Sequence, residues 1–122
     1  MTKVFARFAR KQRLDDKRLC EAVARAGRGS VDVELGGNLI KQRIARPGGG
    51  RSAGYRTVIA YRGPQRSVYL YGFAKNERDN IDAEELNDLK ELAKRFLDYT
   101  REQIATAVKQ AELKEVFCDE QK

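Results

Sequence analysis

Histidine is absent from all 122 residues, which removes the side chain most often used as a general base near neutral pH. Tryptophan is absent as well, and Pro47 and Pro64 are the only prolines. No apolar run approaches the ~20 residues that a membrane-spanning helix needs. The opening Met-Thr-Lys-Val-Phe-Ala-Arg-Phe carries no uninterrupted apolar stretch of the signal-peptide kind, so a cytoplasmic protein is expected. Cys20 and Cys118 lie far apart without metal-ligand spacing, and free thiols in a reducing cytosol are the simplest expectation. A Gly-x-Ser-x-Gly elbow, a P-loop and a dinucleotide fingerprint are all missing. Asp and Glu gather in the last third of the chain, where helix caps and solvated faces account for them. Neither a metal nor a cofactor is expected.

What the chain has is positive charge, unevenly placed. Its net charge is +7, yet residues 1–78 hold 18 Lys/Arg against 6 Asp/Glu, and residues 79–122 hold 7 against 12. Such a field steers polyanions to one part of a molecule. The bland reading is a basic face that keeps the protein dispersed. Nucleic acid is the better reading, because the cations fall on expected strands and among aromatics. With 41% hydrophobic residues, the chain can bury well over half of its unfolded surface, and one domain over 1–122 is expected.

The organising stretch runs from Lys41 to Asn80. Gly54–Arg62 and Ser67–Arg78 are rich in β-branched and aromatic residues and flank Arg62-Gly-Pro-Gln-Arg66, which predicts a β-hairpin. Leu39–Arg46 has the composition of a third strand, separated from the hairpin by the glycine-rich stretch 47–54. Alternation puts Lys41 and Arg43 on one face of that strand, with Ile40 and Ile44 on the other. The same rule places Tyr69, Tyr71, Phe73 and Lys75 on one face, and Val68, Leu70 and Ala74 opposite. Most of Tyr55, Tyr61, Tyr69, Tyr71 and Phe73 are expected in the core or at its margin. Ser30–Asn38 reads as a loop.

Helices are expected on either side. Residues 3–13 suit a short amphipathic helix, with a strand over Lys3–Phe8 as the alternative. Asp15 reads as the N-cap of a second helix with the stripe Leu19, Ala22, Val23, Ala26, ended by Gly27 or Gly29. The two should form a helical hairpin over one face of the sheet. Further on, Asp82 with Glu85 and Thr100 with Gln103 are capping-box patterns, and Leu86, Leu89, Leu92, Ala93, Phe96 and Leu97 follow a helical period. The tail Leu113–Phe117 either adds a short edge strand or frays.

Lys, Arg and Tyr are what remains for chemistry, and they suffice to cut RNA. The ribose 2′-OH is already a nucleophile beside its phosphorus, so a protein need only align it, offset charge on the phosphoryl oxygens and move protons. Arginine forks fit phosphate oxygens, and a lysine crowded by arginines can have its pKa lowered toward proton transfer. Plain docking to phosphate is the preferred role of Lys41, Arg46, Arg51 and Arg66. For Arg56, Lys75 and Arg78 catalysis is as good a reading as docking.

The run Lys41-Gln-Arg-Ile-Ala-Arg-Pro-Gly-Gly-Gly-Arg-Ser-Ala-Gly-Tyr-Arg-Thr-Val-Ile-Ala-Tyr-Arg62, with Val68-Tyr-Leu-Tyr-Gly-Phe-Ala-Lys-Asn-Glu-Arg-Asp-Asn-Ile81 and the Leu-Lys-Glu-Leu-Ala-Lys helix, resembles the RelE/ParE superfamily of toxin–antitoxin toxins, and its RelE/HigB-like branch most. The resemblance implies an α+β fold, a small twisted antiparallel sheet with N-terminal helices packed on it and C-terminal helices beyond. It implies a metal-independent, ribosome-dependent mRNA endonuclease, held in check by an antitoxin that often carries a helix-turn-helix. The family's basic strand residues map onto Lys41, Arg43, Arg46, Arg56 and Lys75, with Arg78 beside the last. The catalytic set is therefore Arg56, Lys75 and Arg78, and the RNA-binding set Lys41, Arg43, Arg46 and Arg51. The histidine of some relatives has no counterpart here, nor has a C-terminal catalytic tyrosine. The superfamily includes gyrase inhibitors, so the rival is a non-catalytic binding module of the same fold, gyrase-inhibiting or a degenerate phage-derived member.

Overall fold

Apolar alternation between Leu39 and Ala74 builds the centre of the molecule. A computed structural model describes residues 1–46, 54–75 and 80–118. In chain order these form α1 (Lys3–Gln12), α2 (Asp16–Gly27), β1 (Val33–Gly36), β2 (Leu39–Ile44), β3 (Tyr55–Arg62), β4 (Arg66–Ala74), α3 (Ala83–Asp98) and α4 (Arg101–Lys109). The strands make one antiparallel sheet in the order β1-β2-β3-β4. The fold is α+β, as expected.

One strand was not legible as such. Ser30–Asn38 reads as a loop, but Val33–Gly36 is an edge strand paired with Leu39–Lys41. Gly36, Gly37 and Asn38 all take positive φ, and this left-handed turn folds β1 straight back onto β2.

Each face of the sheet carries its own core. On one side Phe5, Ala9, Leu14, Leu19, Ala22 and Ala26 of the helical hairpin pack on Ile40, Ile44, Tyr55, Ile59 and Tyr69. On the other, Ala93, Phe96 and Leu97 of α3 and Ala107 of α4 pack on Leu39, Val58, Ala60, Val68 and Leu70. The open choice at the N-terminus resolves to helix, because Thr2 caps it: its hydroxyl accepts from the Phe5 N–H and donates to the Leu70 carbonyl at 3.0 Å. Asp15 caps α2, and the capping boxes of α3 and α4 form as the sequence predicts. α1 lies so close to β4 that a Cβ on Gly72 would stand 2.6 Å from the Phe8 ring.

Strict alternation fails along β4. The register shifts between Val58 and Ile59, so that Val58 pairs with Tyr71 and Ile59 with Tyr69. The extra residue in β4 flips the parity. Tyr69 packs under the helical hairpin, stacked on Phe5 with ring centroids 4.6 Å apart, whereas Tyr71 joins the α3 side with Leu70. Ala74 lies on the helical-hairpin side, not with Val68 and Leu70.

Free thiols were expected, yet Cys20 and Cys118 form a disulfide. Sequence separation hid this, because the chain's two ends meet. Thr2 and Leu113 form an antiparallel bridge, the Lys114 N–H donates to the Met1 carbonyl at 2.8 Å, and the tail then runs along α2. The tail is thus anchored by an isolated bridge rather than a strand.

Candidate nucleic-acid interface

The α3 side of the sheet is apolar only over part of its surface. Toward the end of β2 the same face turns cationic. Lys41, Arg43 and Arg56 share the parity of Leu39 and Val58, and the register makes Lys41 the partner of Val58 and Arg43 the partner of Arg56. Tyr71 and Phe73 continue these two rows onto β4, opposite Val58 and Arg56. Arg56 is buried to 9% exposure, Lys41 is half-buried and Arg43 exposed.

Like charges on facing strand positions repel, and the geometry here brings them close. Both backbone polar groups of Arg43 turn away from β3: its N–H donates to Asp32 Oδ2 at 2.7 Å, and its carbonyl accepts from Arg25 Nη2. Arg43 and Arg56 are therefore a narrow, non-hydrogen-bonded pair, with Cα atoms about 4.5 Å apart. Lys41 feels the result. Burial, then Arg56, then Arg43 hold its ammonium pKa below the ordinary lysine value. Its Nζ donates to Asn80 Oδ1 at 3.3 Å.

A polar network fixes β2 from behind. Gln42, fully buried, donates to the Ala22 carbonyl at 2.9 Å and accepts from the Asp32 N–H at 2.7 Å. Thr57 donates to the Gln42 carbonyl at 2.9 Å. Arg25, 8% exposed, reaches Asp32 at 3.4 Å. Sequence reading passed over all four residues. Two signals were there: a charge at Arg25 beside the apolar stripe of α2, and an amide at Gln42 between Ile40 and Ile44 on the buried parity.

The other expected site residues do not all join this group. Arg46 lies over the Tyr55 ring, 5.5 Å from its centroid, and Tyr55 belongs to the helical-hairpin core. Lys75 is exposed just past β4, its N–H on the Gly54 carbonyl at 3.4 Å, at the sheet end where Arg56 stands. Arg51 and Arg78 lie outside the described residues, as do most of the glycine-rich stretch and residues 76–79. Arg66, expected to dock phosphate, is a helix cap. Its Nη1 donates to the Phe96 and Tyr99 carbonyls at 2.8 and 2.6 Å, and Arg62 Nη1 donates to the Leu97 carbonyl at 2.9 Å. Cations there meet the negative end of the α3 dipole.

Tyr69, on the helical-hairpin side, is no ready proton carrier. Tyr69 donates to the Leu19 carbonyl at 2.7 Å, and burial pushes its pKa far above the ordinary phenol value. Among the described residues no group of three or more His, Cys, Asp and Glu is placed to hold a metal ion, and no helix is long and apolar enough to cross a membrane. Lys41, Arg43 and Arg56 thus gather positive charge on one stretch of the sheet face, with an amine of lowered pKa among them.

A family model described as the RelE toxin of the RelE/RelB toxin–antitoxin system matches residues 1–116. No curated protein and no solved structure matches the chain.

Proposed function

The chain belongs to the RelE toxin family and is the toxin of a toxin–antitoxin pair; from that premise we propose that it is a ribosome-dependent mRNA endonuclease acting in the cytoplasm. The observation that carries the reading is the place of Lys41, half-buried on the sheet face beside Arg56 and Arg43, where burial first and the two guanidiniums after it lower its pKa. A surface that only docks phosphate gains from cations at their ordinary pKa. A lysine that releases its proton more readily is suited to transfer it.

In this reading Arg43 and Arg56 grip the non-bridging oxygens of the scissile phosphate. Lys41 moves the proton. The 2′-hydroxyl gives its proton to water as its oxygen bonds to phosphorus, the bond to the 5′-oxygen breaks, and that oxygen takes its proton from the Lys41 ammonium. The products are a 2′,3′-cyclic phosphate and a 5′-hydroxyl. Lys75 supplies further charge at the same end of the sheet, Arg78 acts with it on the phosphate, and Arg46 and Arg51 contact the RNA strand. The ribosome holds the message in line for attack, which a protein without histidine achieves poorly alone. An antitoxin, with a helix-turn-helix of its own, covers the basic surface until it is lost.

Induced expression followed by mapping of mRNA 5′ ends tests the proposal. New ends within translated frames are expected. Growth arrest with intact transcripts overturns it and favours a binding module, such as a gyrase inhibitor.

A further inference from the structure

The disulfide lies away from the cationic face, and nothing in RNA cleavage calls for it. We propose that Cys20–Cys118 is a reversible thiol–disulfide exchange site that clamps the C-terminal tail onto α2. Cys118 is exposed and Cys20 half-buried, so a small thiol reaches the bond without global unfolding. Exposed disulfides of this kind are the exchangeable ones. The tail beyond Lys114 has slender support otherwise: the Phe117 N–H donates to Asp16 Oδ2 at 2.9 Å, and Val116 packs at the margin of the core. Phe117 itself is 70% exposed. The bond also walls an open groove of about 570 Å³ between α2, β4 and α4, lined by Val23, Tyr69, Ile104, Val108 and Val116. Opening the bond releases residues 115–118 and leaves that apolar groove uncovered on one side.

The exchange partner is a low-molecular-weight thiol such as glutathione. Its thiolate attacks Sγ of Cys118, the Cys20 sulfur leaves as thiolate and takes a proton, and a mixed disulfide remains on Cys118. A second glutathione thiolate attacks the glutathione sulfur, freeing Cys118 as a thiol and yielding one oxidised glutathione. Two electrons pass to the protein, and oxidised glutathione reverses both steps. In a reducing cytosol the dithiol form prevails, and the clamp closes as the glutathione pool is oxidised.

The test uses the full chain in glutathione buffers of graded ratio, with alkylation read by mass and tryptic cleavage after Lys114 followed in time. Two alkylated thiols are expected under reducing conditions while the far-UV circular dichroism stays native. Cleavage after Lys114 should be at least ~10-fold faster than in the oxidised protein, and Cys118→Ser should cut at the fast rate in either buffer. A bond that resists reduction until the domain unfolds overturns the proposal. So does one rate of cleavage in the oxidised protein, the reduced protein and Cys118→Ser. These readouts are independent of RNA cleavage.

Discussion

The guanidinium of Arg66 donates to the backbone carbonyl of Tyr99 at 2.6 Å, one residue past the end of α3. The same nitrogen meets the Phe96 carbonyl, so one side chain from the start of β4 satisfies helix-end acceptors that would otherwise need water. Arg66→Ala leaves those carbonyls without it in a half-buried setting. Unfolding in urea should show a loss of about 2 kcal/mol, and toxicity at permissive temperature should persist. A stable Arg66→Ala protein that no longer cuts RNA would return Arg66 to the interface.

Arg56 and Lys41 should behave the opposite way. Arg56→Ala and Lys41→Ala should keep their far-UV spectrum, since the backbone pairing of β2 with β3 does not depend on either side chain. Each should lower cleavage on programmed ribosomes by roughly 10²-fold, as loss of a group that stabilises transition-state charge does. Undiminished cutting by the folded double variant removes both from the site.

The Lys41 pKa offers a sharper check. Positive neighbours disfavour its protonated form, so removing one must raise the value. In Arg56→Gln the Lys41 Nζ should titrate at higher pH than in the native protein, by NMR of a lysine-labelled sample. The alkaline limb of the cleavage profile should move the same way if protonated Lys41 donates the proton to the leaving 5′-oxygen. An unchanged or lower Lys41 titration means the three cations are not coupled.

Gly72→Ala probes how tightly α1 rides on β4. The new methyl meets the Phe8 ring at 2.6 and 2.7 Å and Phe5 at 3.0 Å, so the helix must shift or the rings turn. Overpacking of this kind costs about 1–3 kcal/mol. A melting temperature equal to the native value would show that Phe8 swings away freely.

The hairpin, the β2 strand and the N-caps of α2, α3 and α4 were legible because each rests on neighbours in sequence: a turn dipeptide, an alternation, a side chain three residues from the N–H it bonds. Tyr69 and Tyr71 were not, since the added residue in β4 answers to packing under α1 and leaves no local mark. The Cys20–Cys118 bond was hidden for a related reason, as only the meeting of Thr2 with Leu113 brings the ends together. Within the site, alternation alone put Lys41 and Arg43 on one face. That Lys41 stands at the centre and Arg46 apart depends on the register with β3, which residue order does not state. Arg66 misled because a guanidinium suits a phosphate and a helix end equally well.

The grip of Asp32 and Arg25 on the main chain of Arg43 also bears on self-association. β1 stops at Val33, and past that point β2 would offer a bare N–H and carbonyl for a neighbouring molecule to extend. Both are taken, one by a carboxylate and one by a guanidinium, and a further strand finds nothing there to pair with. At the opposite margin Thr2 occupies the carbonyls of Tyr69 and Leu70 in the same manner. A chain rich in Tyr, Val and Ile strands thereby closes these stretches of its rim with side chains and a helix start, which guards them against edge-to-edge growth into fibres.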